Sequence, residues 1–363
     1  MKKSLIALAV LSAVAGAAQA QSSVTVYGLV DMGLQRQDIG ATKTSASATT
    51  TALDSGNQSG SRLGFKGSED LGGGLKANFK LEMGINADEG KSAQGGRTFG
   101  RQAYVGLAGD FGAVNFGRQY TPVFVAIDSF DPFSTGMSSG TAGSGTSTLG
   151  AGAYFDHGNV RMDNSVTFST NDVGGFTANL AYGMGEVAGD NKAKRYMGLS
   201  AAYTGGPLFV EAAYSNRQDT VLTATTLDNA VKSTLIAGTY DFSVVKLHGA
   251  YQSIKDDGVA ATALKRDVWS FGVTVPVSAA GSVVANYIDS RNKNSFLTDM
   301  NAKQYAIGYT HSLSKRTNLY TSYSQAKNDA NINLGSADSG PTFHPVANGA
   351  TVKLFNVGIR HMF

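Results

Sequence analysis

The chain of 363 residues contains no cysteine, only 6 prolines and a single tryptophan. It also lacks any apolar run after its N-terminus that approaches the ~20 residues of a spanning helix, so if the chain enters a membrane it does not do so as a helix. Without cysteine a disulfide-stapled scaffold is excluded, and stability must come from an extended hydrogen-bonded architecture. An excess of one charge is missing as well: 30 Lys and Arg face 27 Asp and Glu, a formal net charge of +3. That balance argues for no nucleic-acid partner. Mean hydropathy is −0.11. Such a value leaves a membrane barrel open, because lipid-facing and lumen-facing residues alternate along each strand and cancel.

The first twenty residues have the form of a removable leader. Lys2 and Lys3 make a positive start, Leu5 to Gly16 an apolar stretch, and Ala18-Gln19-Ala20 a small-residue cleavage site. This is the pattern of a secretory signal peptide, with residues 21–363 expected to form one β-barrel domain. Loss of Lys2 and Lys3 lowers the net charge from +3 to +1.

Period-2 alternation then runs through the chain. In Val24 to Leu34, Val24, Val26, Val30, Met32 and Leu34 share one face and Thr25, Tyr27 and Asp31 the other, which reads as a strand with one apolar side. In Leu75 to Gly84, Leu75, Ala77, Phe79, Leu81 and Met83 oppose Lys76, Asn78, Lys80 and Glu82. Strands are predicted at 23–36, 58–69, 75–87, 98–109, 112–120, 159–170, 175–186, 195–204, 207–217, 232–241, 244–255, 266–275, 281–291, 301–313, 316–327 and 350–363. Seven short turns alternate with eight longer polar connections between them. An all-β, sixteen-stranded antiparallel transmembrane barrel follows, with both termini at the short-turn end. The sequence supplies neither amphipathic helices nor a second apolar face to cover these strands, so lipid must do so. In hydrocarbon the array can leave no unpaired edge. Sixteen strands also enclose a lumen wide enough for water.

One connection stands apart. Tyr120 to Asn159 is rich in Gly, Ser and Thr and carries Asp128, Phe130, Asp131, Pro132 and Phe133 near its start. A structureless segment of that length inside a compact domain signals a functional loop or disorder.

Several stretches carry a more specific likeness. Val-Tyr-Gly-Leu-Val-Asp at 26–31, Ser-Arg-Leu-Gly-Phe-Lys-Gly-Ser-Glu-Asp-Leu-Gly-Gly-Gly-Leu at 61–75, Arg-Gln-Ala-Tyr-Val-Gly-Leu at 101–107 and Gly-Arg-Gln at 117–119 resemble the general porins of beta- and related proteobacteria. The likeness spans the mature chain, and its last strand ends on Phe363, similar to an outer-membrane insertion signal. The resemblance implies a homotrimer in the outer membrane, in contact with lipid and lipopolysaccharide. It also implies that the third long loop folds inside each barrel, and that the channel is biased toward anions. Many relatives carry a Pro-Glu-Phe-Gly-like element in that loop, where this chain has Asp131-Pro132-Phe133 followed by Gly136.

Strand parity aims Arg62, Lys66, Lys80, Glu82, Arg161, Asp163 and Arg360 inward, whereas Arg101 and Arg118 fall on the outward phase unless a bulge intervenes. We assign Arg62, Arg101 and Arg161, with Lys66 and Lys80, to the basic side of a constriction. Glu82, Asp128 and Asp131 form its acidic side, and Phe130, Pro132 and Phe133 anchor the loop. The competing reading of each charge is a partner in an ion pair that holds the loop.

Catalytic readings find little. His157, His248, His311, His344 and His361 are scattered without metal-ligand spacing. Ala142-Gly143-Ser144-Gly145-Thr146 sits in the Gly/Ser-rich loop rather than on a strand-to-helix turn. Asp256-Asp257 reads as solvated turn residues or, alternatively, as ligands for a lipopolysaccharide-bridging cation, and Lys192, Lys194 and Arg195 as an exposed loop. No cofactor and no metal is implied. The expected function is passive diffusion of ions and small hydrophilic solutes with mild anion preference. A substrate-specific channel for a sugar, carboxylate or phosphate and a structural or adhesive barrel are the alternatives, and an outer-membrane hydrolase lacks a nucleophile-and-base pair.

Overall fold

The computed structural model describes residues 23–137, 154–155, 160–218, 230–258, 263, 265–334 and 347–363. The expected leader at 1–20, and residues 138–153 and 156–159 of the long connection with its Gly/Ser-rich motif, lie outside the described residues. The strands are β1 (Ser23–Ile39), β2 (Ala48–Ser55), β3 (Arg62–Gly72), β4 (Leu75–Asn86), β5 (Lys91–Ser92), β6 (Gln102–Gly109), β7 (Gly112–Tyr120), β8 (Arg161–Ser169), β9 (Phe176–Gly183), β10 (Tyr196–Gly205), β11 (Leu208–Gln218), β12 (Ala230–Asp241), β13 (Lys246–Asp256), β14 (Lys265–Pro276), β15 (Gly281–Asn292), β16 (Ala302–Ser312), β17 (Thr317–Asn328) and β18 (Val352–Met362).

All of these except β2 and β5 form one antiparallel ring, the sixteen-stranded barrel anticipated from the alternation. It closes where β18 returns to β1, from Leu29↔Met362 to Ile39↔Val352. The last residue takes part: the Phe363 N–H donates to Gly28 O at 3.0 Å and the Gly28 N–H to Phe363 O at 3.1 Å. Along β1, Val24, Val26, Val30 and Leu34 are exposed on the outside, while Leu29, Asp31, Gln35 and Gln37 are buried inside.

Three features go beyond the sequence reading. Residues 48–55, expected in a long connection, form β2, which pairs with β1 from Met32↔Ser55 to Ile39↔Ala48. β3 takes the other half of β1, from Ser23↔Ser68 to Leu29↔Arg62, so the strand expected at 58–69 starts only at Arg62. Residues 56–61 between them leave the sheet and fold inward around Asp31. That carboxylate is fully buried. It accepts the Gln58 N–H at 2.7 Å, the Ser59 N–H at 2.6 Å and the Tyr320 hydroxyl at 2.5 Å.

The second feature is a helix, α1 (Pro122–Phe130). Thr121 caps it by accepting the Phe124 N–H at 3.3 Å, and Pro122 occupies its first turn, where a missing N–H costs nothing. The third is an apolar core inside the ring. Val123, Ile127 and Phe130 of α1 pack with Tyr154, Phe155 and the inward Leu235, Ile254, Val268 and Ile288. The sequence reading gave the inward faces to polar residues alone. Here α1, together with Tyr154 and Phe155, provides the layer that lets inward positions of β12–β15 be apolar.

Asp31→Ala strands the Gln58 and Ser59 N–H groups and the Tyr320 hydroxyl. A loss of about 2 to 4 kcal/mol in folding stability is expected, read as a lower urea midpoint for unfolding from lipid vesicles.

Candidate functional site

The inward face of β1, β3, β4, β6, β7 and β8 carries a cluster of cations around one carboxylate. Tyr27 on β1 is its floor: the Lys66 and Lys80 ammonium groups lie 5.3 and 5.6 Å from its ring centroid, within cation–π range. The Tyr27 hydroxyl donates to Glu82 Oε2 at 2.8 Å. Glu82 is 2% exposed and is also met by Arg101 Nε at 2.9 Å and Lys80 Nζ at 3.7 Å.

Tyr120, the last residue of β7, is the second hub. Its hydroxyl accepts Arg101 Nη2 at 2.6 Å and Arg161 Nη2 at 3.0 Å, and the Arg161 guanidinium lies 4.6 Å from its ring centroid. Arg62 opens β3 and donates from Nε to the Gly60 carbonyl at 2.9 Å. Among the described residues, neither Arg62 nor Arg161 has a carboxylate within ion-pair distance.

The expected basic residues Arg62, Lys66, Lys80, Arg101 and Arg161 therefore converge. Arg101 does so although strict alternation aimed it outward, because β6 begins only at Gln102 and the phase does not extend to its predecessor. The anticipated bulge is present too, at Arg118 itself: the β7–β8 register shifts between Gly117 and Gln119. Gly117 has φ +132°, and a Cβ there would stand 2.2 Å from the Ala103 carbonyl oxygen, so no other residue fits. Arg118 joins Arg97 on Asp163, at 2.6 and 2.8 Å. That is a separate group, so Asp163 does not pair with Arg161.

The acidic side differs from expectation in two places. Glu82 lies within the basic group rather than opposite it, as a brace for Arg101. Asp131 is 4% exposed and ties the turn after α1, accepting the Phe133 N–H at 3.1 Å and the Thr135 N–H at 2.9 Å. Asp128 is exposed and accepts the Thr135 hydroxyl at 2.8 Å.

The segment from α1 to Met137 runs along the inner wall. Ser129 donates to Glu211 Oε2 at 2.9 Å, and the Phe130 carbonyl accepts His248 Nδ1–H at 2.5 Å, with His248 Nε2 facing Thr274 Oγ1 at 3.0 Å. Pro132 and Phe133 then lie against Gly272 and Gly308, where an added Cβ would stand 2.7 and 2.9 Å from their rings. At its end the Met137 N–H reaches Asn57 O at 2.5 Å, so this segment meets the inward bulge that Asp31 holds.

Sequence reasoning missed Tyr120, Asp31, Glu211 and His248 as organisers. Tyr27 was recoverable, since alternation already faced it inward. Of Asp256-Asp257, which reads as solvated turn residues or alternatively as cation ligands, Asp257 is paired with Lys232 at 2.5 Å.

The sequence model for Gram-negative porins matches residues 7–331. The chain is 36% identical to outer membrane porin protein 32 of Delftia acidovorans over 367 residues, covering 100% of both. It is 33% identical to an outer membrane porin of Bordetella pertussis, again over 100% of each. Its fold superposes on the anion-selective porin from Comamonas acidovorans with a TM-score of 0.79 and 32% identity, covering 94% of this chain and 100% of that one. The chain belongs to the Gram-negative porin family, β-barrel channels of the outer membrane rather than enzymes.

Proposed function

We propose that this porin is a homotrimeric diffusion channel for ions and small hydrophilic solutes with mild anion preference, narrowed by the segment that begins at Tyr120. One observation carries the preference: five cations, Arg62, Lys66, Lys80, Arg101 and Arg161, surround the single carboxylate of Glu82. That carboxylate is bound to Arg101 and Lys80, which leaves Arg62, Lys66 and Arg161 without a carboxylate partner among the described residues. The apolar core against β12–β15 occupies the opposite part of the lumen, so solutes pass beside the basic wall. The name of the Comamonas relative, an anion-selective porin, agrees with this reading.

The strength of the cluster suits permeation. Two unit charges about 8 Å apart interact by roughly 2 kcal/mol at an effective dielectric near 20, several times the thermal energy. An anion is drawn in without being held, as conduction requires. Asp128, exposed on the inner segment, sets a negative charge toward the passage, and Asp131, Phe130, Pro132 and Phe133 fix that segment's path. Phe363 acts as the insertion signal, and the 1–20 leader directs export. The outer wall contacts membrane lipid, including lipopolysaccharide.

The double variant R62Q/R161Q should move the zero-current potential of planar bilayers under a KCl gradient toward the cation-selective side. The wild-type preference itself should shrink between 0.1 M and 1 M salt, as screening shortens from about 10 to 3 Å. An unchanged potential in the variant would remove both arginines from selectivity. Glu82→Gln has the opposite sign: with the one carboxylate gone, anion preference should rise. For the assembly, bilayer records should close in three steps and cross-linking of the folded protein should stop at three chains. A one-step closure with a single-chain product would overturn the trimer.

A further inference from the structure

Residues 56–61 leave the sheet between β2 and β3, and one residue of β1 holds them inside the barrel. Gly56, with φ +81°, turns the chain, and its N–H donates to the Asp31 carbonyl at 2.9 Å. Ser61 ends the excursion, accepting the Asp31 N–H at 3.0 Å and donating its hydroxyl to the Asp31 carbonyl at 3.2 Å. The Asp31 carboxylate takes the Gln58 and Ser59 N–H groups in between. Two side chains brace the turn from β17 and β18. Asn318 Nδ2 donates to Gln58 Oε1 at 2.8 Å, and Arg360 donates from Nη1 to Ser59 Oγ at 2.8 Å and from Nε to Asn318 Oδ1 at 3.0 Å.

So fixed, the turn touches both other parts of the site. On one flank the Asn57 carbonyl accepts the Met137 N–H at 2.5 Å, and a Cβ on Gly136 would overlap Gln58 O, so the end of the inner segment is seated closely against it. On the other flank the Gly60 carbonyl accepts Arg62 Nε at 2.9 Å, and a Cβ on Gly60 would stand 3.0 Å from Arg101 Nη1. Contacts then run round the whole interior. Tyr120 leads into α1 against β9–β13, and Pro132 and Phe133 lie at β14 and β16. Met137 meets Asn57, Gly60 meets Arg62 and Arg101, and Arg101 returns to the Tyr120 hydroxyl.

We propose that residues 56–61 close the constriction into a continuous collar, and that Asp31 is the positioning residue that sets its width and the placement of Arg62. Asp31 is fully buried behind the turn and touches no solute. It acts through Gly60, whose carbonyl orients the Arg62 guanidinium, and through Asn57, which seats Met137. The placement of Arg62 matters to selectivity through the anion preference proposed above, on which this half of the inference rests. The width does not depend on it.

Single-channel conductance and zero-current potential under a KCl gradient are measured for the wild type, R62Q, D31A and D31N. Both changes at Asp31 remove one negative charge from the interior, which by charge alone raises anion preference. They differ in what they leave for the turn: Asp31→Asn keeps an oxygen for the Gln58 and Ser59 N–H groups, and Asp31→Ala leaves those groups unpaired. D31A should conduct more than the wild type and lose anion preference, moving toward R62Q. D31N should keep wild-type conductance and make no move toward R62Q. D31A at wild-type conductance, D31A at the wild-type potential while R62Q shifts, or D31N matching D31A would overturn the proposal. If R62Q itself leaves the potential in place, the anion reading of Arg62 fails, and conductance still decides the collar. Heat-modified gel mobility reports folding. Should D31A fail to fold, S59C decides instead, because the chain has no cysteine of its own. An anionic methanethiosulfonate on folded S59C should lower the conductance, whereas on V173C, exposed in a short turn, it should not. A folded S59C protein that resists labelling, or labels with no change in current, would overturn the proposal.

Discussion

Hydrocarbon offers a peptide group no hydrogen-bond partner, so a strand array in a membrane is stable only if every edge is paired. In this chain that condition is met by the contact between β18 and β1, completed by the reciprocal Gly28 and Phe363 backbone bonds. The rest of the molecule depends on that closure. With the ring shut, each strand has one side for lipid and one for the interior, and the side-chain period of two becomes a division between solvents. Val24 and Asp31, seven residues apart on one strand, end in opposite environments for this reason alone.

Closure leaves the interior to be organised, and this structure does so unequally. One part is filled: α1, Tyr154 and Phe155 pack on Leu235, Ile254, Val268 and Ile288 as in a soluble protein core. The other part stays polar, with cations gathered on two tyrosines and one glutamate. The two parts are mechanically joined. The segment that leaves Tyr120 as α1 passes Glu211, His248, Gly272 and Gly308 and ends on the bulge held by Asp31. The same Tyr120 whose hydroxyl binds Arg101 and Arg161 thus begins the segment that runs along the inner wall. The outside is unequal as well. On the outward faces of β13–β18 a row of basic residues stands over a girdle of aromatics.

The limits of the sequence reading show in particular residues. Thr121 followed by Pro122 is a recognisable helix start, yet the nine residues of α1 sit before a Gly/Ser-rich stretch, and by sequence alone the whole connection reads as loop. β2 is invisible to periodicity because Ala48–Ser55 is mostly Thr and Ala, with little contrast between faces. Alternation aims Arg101 outward only if it is extended one residue beyond the strand that sustains it, which begins at Gln102. Charge alone sets Glu82 and Asp131 across the passage from the arginines. Sequence proximity could not reveal that Arg101 braces the one and that the turn after α1 consumes the other.

What the sequence determined by itself is everything that rests on local periodicity: the strands, their alternation of short and long connections, the even count and hence closure, and the inward phase of Arg62, Lys66, Lys80, Glu82 and Arg161. Each follows from the fixed two-residue repeat of an extended chain, which needs no knowledge of neighbours. Only the tertiary structure decided which inward groups meet. Tyr120 gathers arginines 19 and 41 residues away, and Asp31 holds a bulge 27 residues on and a tyrosine 289 residues on. Such meetings depend on the register between strands and on the path of one segment inside the ring, and these are set only when the barrel is closed.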